Sequence, residues 1–275
     1  MAEADHYRFP ERHMVKPFRI CGELYFVGDD DVCSYLIDTT DGIILIDTGY
    51  PTSQTLELNS IYKLGFDPRD IRVILHTHGH YDHFGATRLL QAISGAETYL
   101  GWKDAKMFRE RSELALCADM GKFAAPELFT PDHEIRDGDR IALGDCTVDA
   151  VETPGHTEGT VSYFFQVHEG GQAYRVGIFG GVGRNTMRRS FYEQHHVSGY
   201  REMFAASIRR MRREQVDIAL GTHTGQAFFW ESRTSSLDGA AENPFVDRMR
   251  WGAFLDGTER KLQQLLDDES ERVQH

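Results

Sequence analysis

Residues 76–83 read HTHGHYDH, and His78, His80, Asp82 and His83 within this stretch follow the spacing His-x-His-x-Asp-His. The apolar run IRVIL at 71–75 precedes it, which predicts a strand whose end carries the four side chains on a loop. Imidazole nitrogens and carboxylate oxygens are ligands that suit Zn²⁺. The stretch therefore predicts half of a site for two metal ions.

Two further histidines complete the predicted site. A catalytic zinc ion usually has three protein ligands and a water molecule, so four residues are too few for two ions. His156, in TPGHT at 153–157, and His223, after the apolar stretch at 216–220, each lie beside small residues that admit a metal. The predicted ligand sets are His78, His80 and His156 for one zinc ion, and Asp82, His83 and His223 for the second.

The other histidines are scattered along the chain. A lone histidine is usually a hydrogen-bonded core or surface residue. We apply this interpretation to His6, His13, His133, His168, His195, His196 and His275. His76 lies one strand alternation before His78, so we expect it to face a neighbouring strand and to bind no metal.

The order of these motifs resembles that of the metallo-β-lactamase-fold superfamily. The matching stretches are THGHYDH at 77–83, DTG at 47–49 after a strand-like run, PGHT at 154–157, and His223. Most members bridge their two zinc ions with an aspartate from a Gly-Asp segment. The corresponding segment here, IFGGVG at 178–183, contains neither a carboxylate nor a thiol.

One group of that superfamily lacks the bridging aspartate, and the chain is similar to it. This group is the third subclass of zinc β-lactamases, which binds its second zinc ion through Asp-His-His, as Asp82, His83 and His223 would. The similarity extends through VETPGHT at 151–157 and NPFVD at 243–247. The resemblance therefore covers both predicted ligand sets.

The chain departs from this subclass on the substrate side of the site. The subclass usually has serines at the positions of Gly181 and Gly183, where they help to hold the substrate carboxylate and a water molecule. Because glycine offers no side-chain donor, a substrate carboxylate needs another partner, and Arg184 and Asn185 are the nearest candidates. The alternative is that Arg184 points into water.

The resemblance implies an α/β fold, an αββα sandwich of the metallo-β-lactamase type with two mixed β-sheets covered by helices on both outer faces. Its metals would lie at one edge, between the sheets. Residues 1–17 are expected to form an N-terminal extension and residues 18–275 a single domain. Helical patterns at 102–118, 200–214 and 245–266 predict some of the outer helices.

The resemblance also implies zinc-dependent hydrolysis of a cyclic amide, with a β-lactam as the first expectation. Zinc-bound hydroxide would attack the carbonyl carbon while one zinc ion polarises the carbonyl oxygen. Asp82 would orient the hydroxide in addition to binding metal. Asp47 is expected to support the ligand loop, since metal ligands need outer partners that fix their orientation. The second zinc ion, without a bridging carboxylate, is expected to bind more weakly.

Two alternatives remain open at this point. Another hydrolase of the same fold, such as a lactonase, a thioester hydrolase like glyoxalase II, or a phosphodiesterase, would use a similar metal site. Those relatives mostly carry the bridging aspartate, so its absence counts against them. A non-catalytic zinc-binding or partner-binding module is the second alternative. Six intact ligands argue against it, because a decayed site would be expected to lose some of them.

The composition limits the partners of the protein. The chain has 275 residues, 40% of them hydrophobic, and a formal net charge of -13, which opposes nucleic-acid binding because such proteins present a basic face. A small-molecule substrate is expected, and the sequence specifies no oligomeric state. The cysteines are scattered without CxxC spacing, so we interpret them as buried thiols rather than as disulfides or zinc ligands: Cys21, Cys33, Cys117 and Cys146.

The sequence contains no pattern typical of a membrane span or a signal peptide. No apolar run approaches the ~20 residues that cross a bilayer, and residues 1–10 lack a basic start and an apolar core. The expected location is therefore the cytoplasm, or the periplasm or exterior if the sequence begins after a removed signal.

Overall fold

Two β-sheets lie at the centre of the fold in the computed structural model, which describes residues 6–116 and 128–271. The strands of the first sheet, in spatial order, are β1 (Phe18–Cys21), β2 (Leu24–Phe26), β3 (Tyr35–Thr39), β4 (Gly42–Ile46), β5 (Ile71–Leu75), β6 (Glu97–Gly101) and β7 (His133–Ile135). The strands of the second are β8 (Arg140–Leu143), β9 (Cys146–Glu152), β10 (Val161–Glu169), β11 (Gln172–Ile178) and β12 (Ile218–Leu220), in the spatial order β12-β11-β10-β9-β8.

Both sheets are mixed. The pairs from β1 to β4 are antiparallel, whereas those from β4 to β7 are parallel. In the second sheet the pair β11–β12 is parallel and the other pairs are antiparallel. Because β4 and β5 run parallel, their carboxyl ends meet at the same edge of the sheet. Asp47 follows β4 and residues 76–83 follow β5, so this edge carries the predicted ligand loop.

Alternate residues of the strands fill the space between the sheets. Along β10, Tyr163, Phe165 and Val167 pack into the core between the sheets with Phe26, whereas Phe164 packs among the helices outside the second sheet. This period of two is expected for the side chains of a strand. Burying one such side chain stabilises a fold by about 1.5–3 kcal/mol, so the intersheet core stabilises the sandwich whose edge carries the ligand loop.

Helices cover the outer faces of both sheets, as predicted. Ile61 and Leu90 pack against the first sheet, and Phe204 and Leu255 pack against the second. The helices are α1 (Gln54–Lys63), α2 (Tyr81–Phe84), α3 (Thr87–Ser94), α4 (Trp102–Glu110), α5 (Arg189–His195), α6 (Tyr200–Met211), α7 (Phe229–Leu237) and α8 (Arg248–Glu271). The layers therefore follow the order helix, sheet, sheet, helix.

The helix predicted at 102–118 is shorter than expected. It ends as α4 at Glu110, because the backbone of Arg111 leaves the helical region with φ -143° and ψ 51°. A 3-10 turn over Ser112–Ala115 follows. Residues 117 and 118 lie outside the described part of the chain.

The last helix begins and ends later than the predicted range of 245–266. The side chain of Asp247 accepts a hydrogen bond from the amide of Met249 at 2.9 Å and caps the helix, so α8 begins at Arg248. It continues to Glu271. Among the described residues no helix, α8 included, has the length and apolar composition that crossing a membrane requires.

The described cysteines are buried free thiols. They are Cys21, Cys33 and Cys146. Burial raises the pKa of Cys21 to about 12 and that of Cys146 to about 11, so both stay protonated and unreactive at neutral pH. Cys117, which sequence analysis also interpreted as a buried thiol, lies outside the described residues.

Candidate metal centre

Three buried histidines converge where the loop after β5 meets the loop between β9 and β10. His78 and His80 come from the first loop and His156 from the second. Their ring centroids lie 4.5 to 4.8 Å apart, and Nδ1 of His80 is 2.9 Å from Nε2 of His156. One possible ligand atom from each residue lies within 4.8 Å of the others. The three imidazoles can therefore share one metal ion.

Main-chain carbonyl groups orient two of these imidazoles. Nδ1 of His78 donates a hydrogen bond to the carbonyl of Gly180, and Nδ1 of His156 donates one to the carbonyl of Gly183, both at 2.9 Å. These bonds place the proton on Nδ1 and leave Nε2 with its lone pair. Nε2 of His78 is buried and has no hydrogen-bond partner among the described residues. A metal ion would satisfy that atom, so the residues present fit zinc.

The second set of predicted ligands lies directly beside the first. Asp82 and His83 belong to α2, and His223 follows β12. Oδ2 of Asp82 is 3.4 Å from Nε2 of His83 and 3.5 Å from Nε2 of His223. The ring centroids of His83 and His78 are 4.1 Å apart. The structure thus brings all six predicted ligands together in one candidate dinuclear centre.

Two carboxylates orient the imidazoles of the second set. Nδ1 of His83 donates a hydrogen bond to Oδ2 of Asp47 at 2.9 Å, and Nδ1 of His223 donates one to Oδ1 of Asp31 at 3.1 Å. Both bonds leave Nε2 to face Asp82. Sequence analysis missed Asp31, because the run DDD at 29–31 has the composition of an ordinary turn.

Asp47 lies where sequence analysis expected support for the ligand loop, and it joins the ends of two strands. Its Oδ1 accepts a hydrogen bond from the amide of Thr77 at 2.8 Å, and its Oδ2 accepts one from the Thr77 hydroxyl at 2.6 Å. Asp47 is buried, and its φ of 59° is a left-handed conformation that costs a non-glycine residue about 1–3 kcal/mol. The hydrogen bonds to Thr77 and His83 hold the residue in that conformation.

A second buried carboxylate, Asp104 of α4, connects the two loops of the first ligand set. Its Oδ2 accepts hydrogen bonds from the amide of Gly79 at 2.8 Å and from the hydroxyl of Thr157 at 2.7 Å. Its Oδ1 accepts one from the amide of Gly159 at 2.9 Å. Burial raises the pKa of Asp104 to about 6, although these three donors oppose the shift. Sequence analysis missed this residue, which no motif marks.

The histidines of the first set are electrically neutral before any metal binds. Burial lowers the pKa of His156 to about 4. Burial, reinforced by neighbouring imidazoles, lowers the pKa values of His78 and His80 well below their usual range. Neutral imidazole is the form that binds a metal ion, so this set needs no deprotonation at pH 7.

In the second ligand set, the negative charge of Asp82 and the positive charge of His83 stabilise each other. Burial opposes ionisation of Asp82, but His83 and His223 outweigh it and hold the pKa of Asp82 far below its usual range. Burial also lowers the pKa of His83, yet Asp82 and Asp47 outweigh it and raise that pKa to about 10. A metal ion at this set would therefore have to displace a proton from His83.

Gly181 and Gly183 both lie against the imidazole of His156. A Cβ atom at Gly181 would be 2.7 Å from Cδ2 of that ring, and one at Gly183 would be 2.7 Å from Cε1. Both distances are shorter than real Cβ contacts, so a serine at either position would push the ring aside. The glycines leave His156 the space it occupies. A role for Gly181 in substrate binding stays a prediction.

Arg184 and Asn185 follow these glycines and lie close to the last helix. Nη1 of Arg184 donates a hydrogen bond to the carbonyl of Lys261 in α8 at 2.8 Å. Asn185 is exposed and begins the 3-10 turn Asn185–Met187. A guanidinium has five N–H donors, so the bond to Lys261 leaves others for a substrate. Contact of either residue with a substrate stays a prediction.

Comparison with known proteins identifies the family. The sequence profile described as the metallo-beta-lactamase superfamily matches residues 27–169. The chain belongs to the metallo-β-lactamase superfamily. The fold and the resemblance predicted from the sequence are thereby confirmed.

Solved structures of this superfamily superpose on almost the whole chain. BJP-1, a subclass B3 metallo-β-lactamase of Bradyrhizobium japonicum, is 27% identical with a TM-score of 0.84, and the match covers 95% of this chain and 97% of that one. The FEZ-1 metallo-β-lactamase from Legionella gormanii is 28% identical with a TM-score of 0.84, and the match covers 94% and 98%. The structural likeness is thus to subclass B3.

Sequence relatives in this superfamily have other names. An uncharacterized protein of Aquifex aeolicus is 31% identical over 128 residues, and the match spans only 56% of its length. Hydroxyacylglutathione hydrolase GloC of Haemophilus influenzae is 29% identical over 167 residues, which cover 58% of this chain and 73% of that one. An N-acyl homoserine lactonase of Bacillus thuringiensis is 23% identical over 208 residues, covering 66% and 75%.

Proposed function

We propose that this member of the metallo-β-lactamase superfamily is a zinc-dependent hydrolase that opens cyclic amides, with β-lactams as the first substrate class. The observation that carries the proposal is the second ligand set. Asp82, His83 and His223 form it without a bridging carboxylate, in a chain that superposes on subclass B3 β-lactamases over nearly its whole length. The substrate is a small molecule that reaches the edge between the sheets.

The chemistry divides between the metal ions and the chain. Zinc ions bound at the two sets would polarise the scissile carbonyl and lower the pKa of a coordinated water to about 7. The chain keeps the ligands in the required orientation through the carbonyls of Gly180 and Gly183 and the carboxylates of Asp47 and Asp31. Asp82 is ionised at neutral pH, so its carboxylate can accept a hydrogen bond from the attacking water and orient it.

Hydrolysis of a lactone or a thioester is the second candidate function. The sequence relatives named hydroxyacylglutathione hydrolase and N-acyl homoserine lactonase favour it. The glycines at 181 and 183 favour it as well, because they provide no hydroxyl for the carboxylate of a β-lactam. A phosphodiesterase has no specific observation in its favour. A non-catalytic module is disfavoured, because each of the four imidazoles His78, His83, His156 and His223 has an oriented ring.

A comparison of three substrates tests the proposal. The zinc-loaded full chain is assayed with a chromogenic cephalosporin, an N-acyl homoserine lactone and a glutathione thioester, before and after chelation and zinc restoration. We expect cephalosporin turnover that chelation abolishes and zinc restores. His133→Ala, which removes an exposed imidazole paired with Glu97, is the control and should behave like the parent.

Each other outcome has a defined meaning. Turnover of only the lactone or the thioester would replace the β-lactam proposal with the second candidate. Stoichiometric zinc with no turnover of any of the three would favour the non-catalytic module. A correctly folded chain that binds no zinc would contradict the metal assignment itself.

A further inference from the structure

A third group of possible metal ligands lies outside the dinuclear centre. Nε2 of His6 and Nδ1 of His13 are each 3.0 Å from the same carboxylate oxygen, Oδ1 of Asp30. The two imidazole rings are stacked, with centroids 3.5 Å apart and planes inclined by 19°. One possible ligand atom from each residue lies within 4.8 Å of the others. Two ring nitrogens and a carboxylate oxygen therefore converge on one point.

The donor atoms of this group suit zinc. The stacked rings present two imidazole nitrogens to one carboxylate oxygen. Imidazole nitrogens and carboxylate oxygens are both zinc ligands. The possible ligand atoms of His78, His80 and His156 meet the same 4.8 Å limit.

The surroundings of the three residues favour a cation. Asp30 lies between Asp29 and Asp31, so three consecutive carboxylates are placed in one turn. The side chain of Asp29 accepts hydrogen bonds from the amides of Asp31 and Val32. The side chain of Asp31 accepts a hydrogen bond from His223. The carboxylate of Asp30, in contrast, faces the two imidazoles. The side chains of His6 and His13 are 13% and 15% exposed and that of Asp30 is 42% exposed. An ion can enter from solvent, and water can complete its coordination.

We propose that His6, His13 and Asp30 bind a third divalent ion, with Zn²⁺ as the expected occupant. Sequence analysis interpreted both histidines as ordinary core or surface residues, and their separations of 24 and 17 positions from Asp30 form no motif. Zinc at this site has two imidazole nitrogens, one carboxylate oxygen and water as ligands.

The third ion links the N-terminal segment, residues 6–13, to residues that neighbour the ligands of the dinuclear centre. Tyr7, next to His6, shares a hydrogen bond between hydroxyl groups with Tyr81, which lies between two ligands of the centre in sequence. The carbonyl of Asp30 accepts a hydrogen bond from the hydroxyl of Thr224, the residue after the ligand His223. The third site therefore has a structural role: it holds the N-terminal segment beside the dinuclear centre and takes no part in the chemistry.

Metal stoichiometry tests this proposal independently of any substrate. The full-length protein and its variants are equilibrated in a zinc buffer and analysed by mass spectrometry for zinc per chain. We expect a third equivalent in the parent and in the control His133→Ala, and its loss in His6→Ala and His13→Ala with the other two equivalents kept. Asp30→Asn, which keeps the size of the side chain but removes its charge, should weaken the third equivalent at least tenfold.

A second readout covers variants that alter the fold. Zinc should slow proteolysis of the N-terminal segment in the parent but not in Asp30→Asn, at zinc concentrations that saturate the other two sites in both. A parent that binds no more than two zinc ions, or a third equivalent that persists in both histidine variants, would overturn the proposal. His78→Ala removes a ligand of the dinuclear centre and should keep the third equivalent, because His78 is not part of the third group.

Discussion

Nδ1 of His223 donates a hydrogen bond to Oδ1 of Asp31 at 3.1 Å, across 192 positions of the chain. The same aspartate accepts a hydrogen bond from the hydroxyl of Tyr50 at 2.7 Å through its other oxygen. Although burial opposes it, these two donors hold the pKa of Asp31 below its usual range, so the residue is an anion at neutral pH. An anionic partner makes Nε2 of His223 a stronger metal ligand.

Replacing Asp31 with asparagine should weaken the second metal site selectively. The variant keeps an acceptor for His223 but loses the charge, and we expect the affinity of the second zinc ion to fall by roughly 10–100-fold. Competition titration with a chelating dye measures the affinities of the two zinc ions of the dinuclear centre, and His6→Ala as the background removes the proposed third site from the titration. His223→Ala should lose the second ion outright, and Tyr50→Phe, which removes one donor to Asp31, should have a smaller effect. Equal weakening of both ions would contradict this role of Asp31.

Serines introduced at Gly181 or Gly183 should damage the first metal site rather than improve substrate binding. Either Cβ atom would lie 2.7 Å from a carbon of the His156 ring, and overpacking of this kind costs about 1–3 kcal/mol. We expect weaker binding of the first zinc ion in Gly181→Ser and Gly183→Ser. Gly252→Ser is the matched control, because a Cβ at Gly252 meets no atom within 4 Å. Unchanged zinc binding together with a lower KM would show that the ring can move.

Arg184→Ala tests the prediction that the Arg184 guanidinium binds a substrate carboxylate. If the enzyme opens β-lactams and Arg184 binds their carboxylate, the variant should raise KM much more than it lowers kcat, because the contact exists in ground and transition states alike. The loss should be roughly 1–3 kcal/mol in kcat/KM. Arg109→Ala, which breaks an exposed ion pair with Glu134, is the control. Identical kinetics in both variants would remove Arg184 from the substrate site.

The free energy of unfolding of the metal-free protein should depend on pH through the carboxyl group of Asp104. Burial raises the pKa of this carboxyl group from 3.8 to about 6, so between these values the folded protein holds a proton that the unfolded chain has released. The stability linked to the group is therefore fully present below the unfolded pKa and is lost as the pH rises through 6, by about 3 kcal/mol.

Urea unfolding of the parent and of Asp104→Asn at several pH values measures this effect. The histidines titrate in both proteins and cancel in the difference. We expect the free energy of unfolding of the parent, relative to the variant, to fall as the pH rises from 4 to 7. A difference that does not change with pH would mean that Asp104 is ionised throughout this range in the folded protein.

Local patterns predicted the ligand loop and the strand before it, whereas the two-sheet sandwich was implied by the resemblance to the superfamily. His78, His80, Asp82 and His83 lie within one short stretch behind an apolar strand, so spacing alone predicts that they meet. Asp31 and Asp104 could not be predicted, because their partners lie 192 and 25 positions away and no motif marks them. Their roles arise only when β12 and α4 pack beside the ligand loop.

Helix ends were predicted less well than helix positions. The apolar pattern that begins at Trp102 continues past Glu110, but the backbone of Arg111 leaves the helix there. At the last helix, the side chain of Asp247 caps the N-terminus of the helix, so the helix begins at Arg248, later than predicted. Both ends depend on the conformation or hydrogen bonds of single residues, which hydrophobic periodicity does not contain.

The two metal positions of the dinuclear centre differ in the groups that orient their imidazole ligands, which are main-chain carbonyls at the first position and side-chain carboxylates at the second. His78 and His156 are oriented by the main-chain carbonyls of Gly180 and Gly183, and a side-chain substitution cannot delete a carbonyl. The imidazoles of the second position depend on the carboxylates of Asp47 and Asp31, each of which one codon change can remove. A single substitution can therefore remove an orienting group of the second position, whereas at the first position it acts only by moving the main chain or the His156 ring.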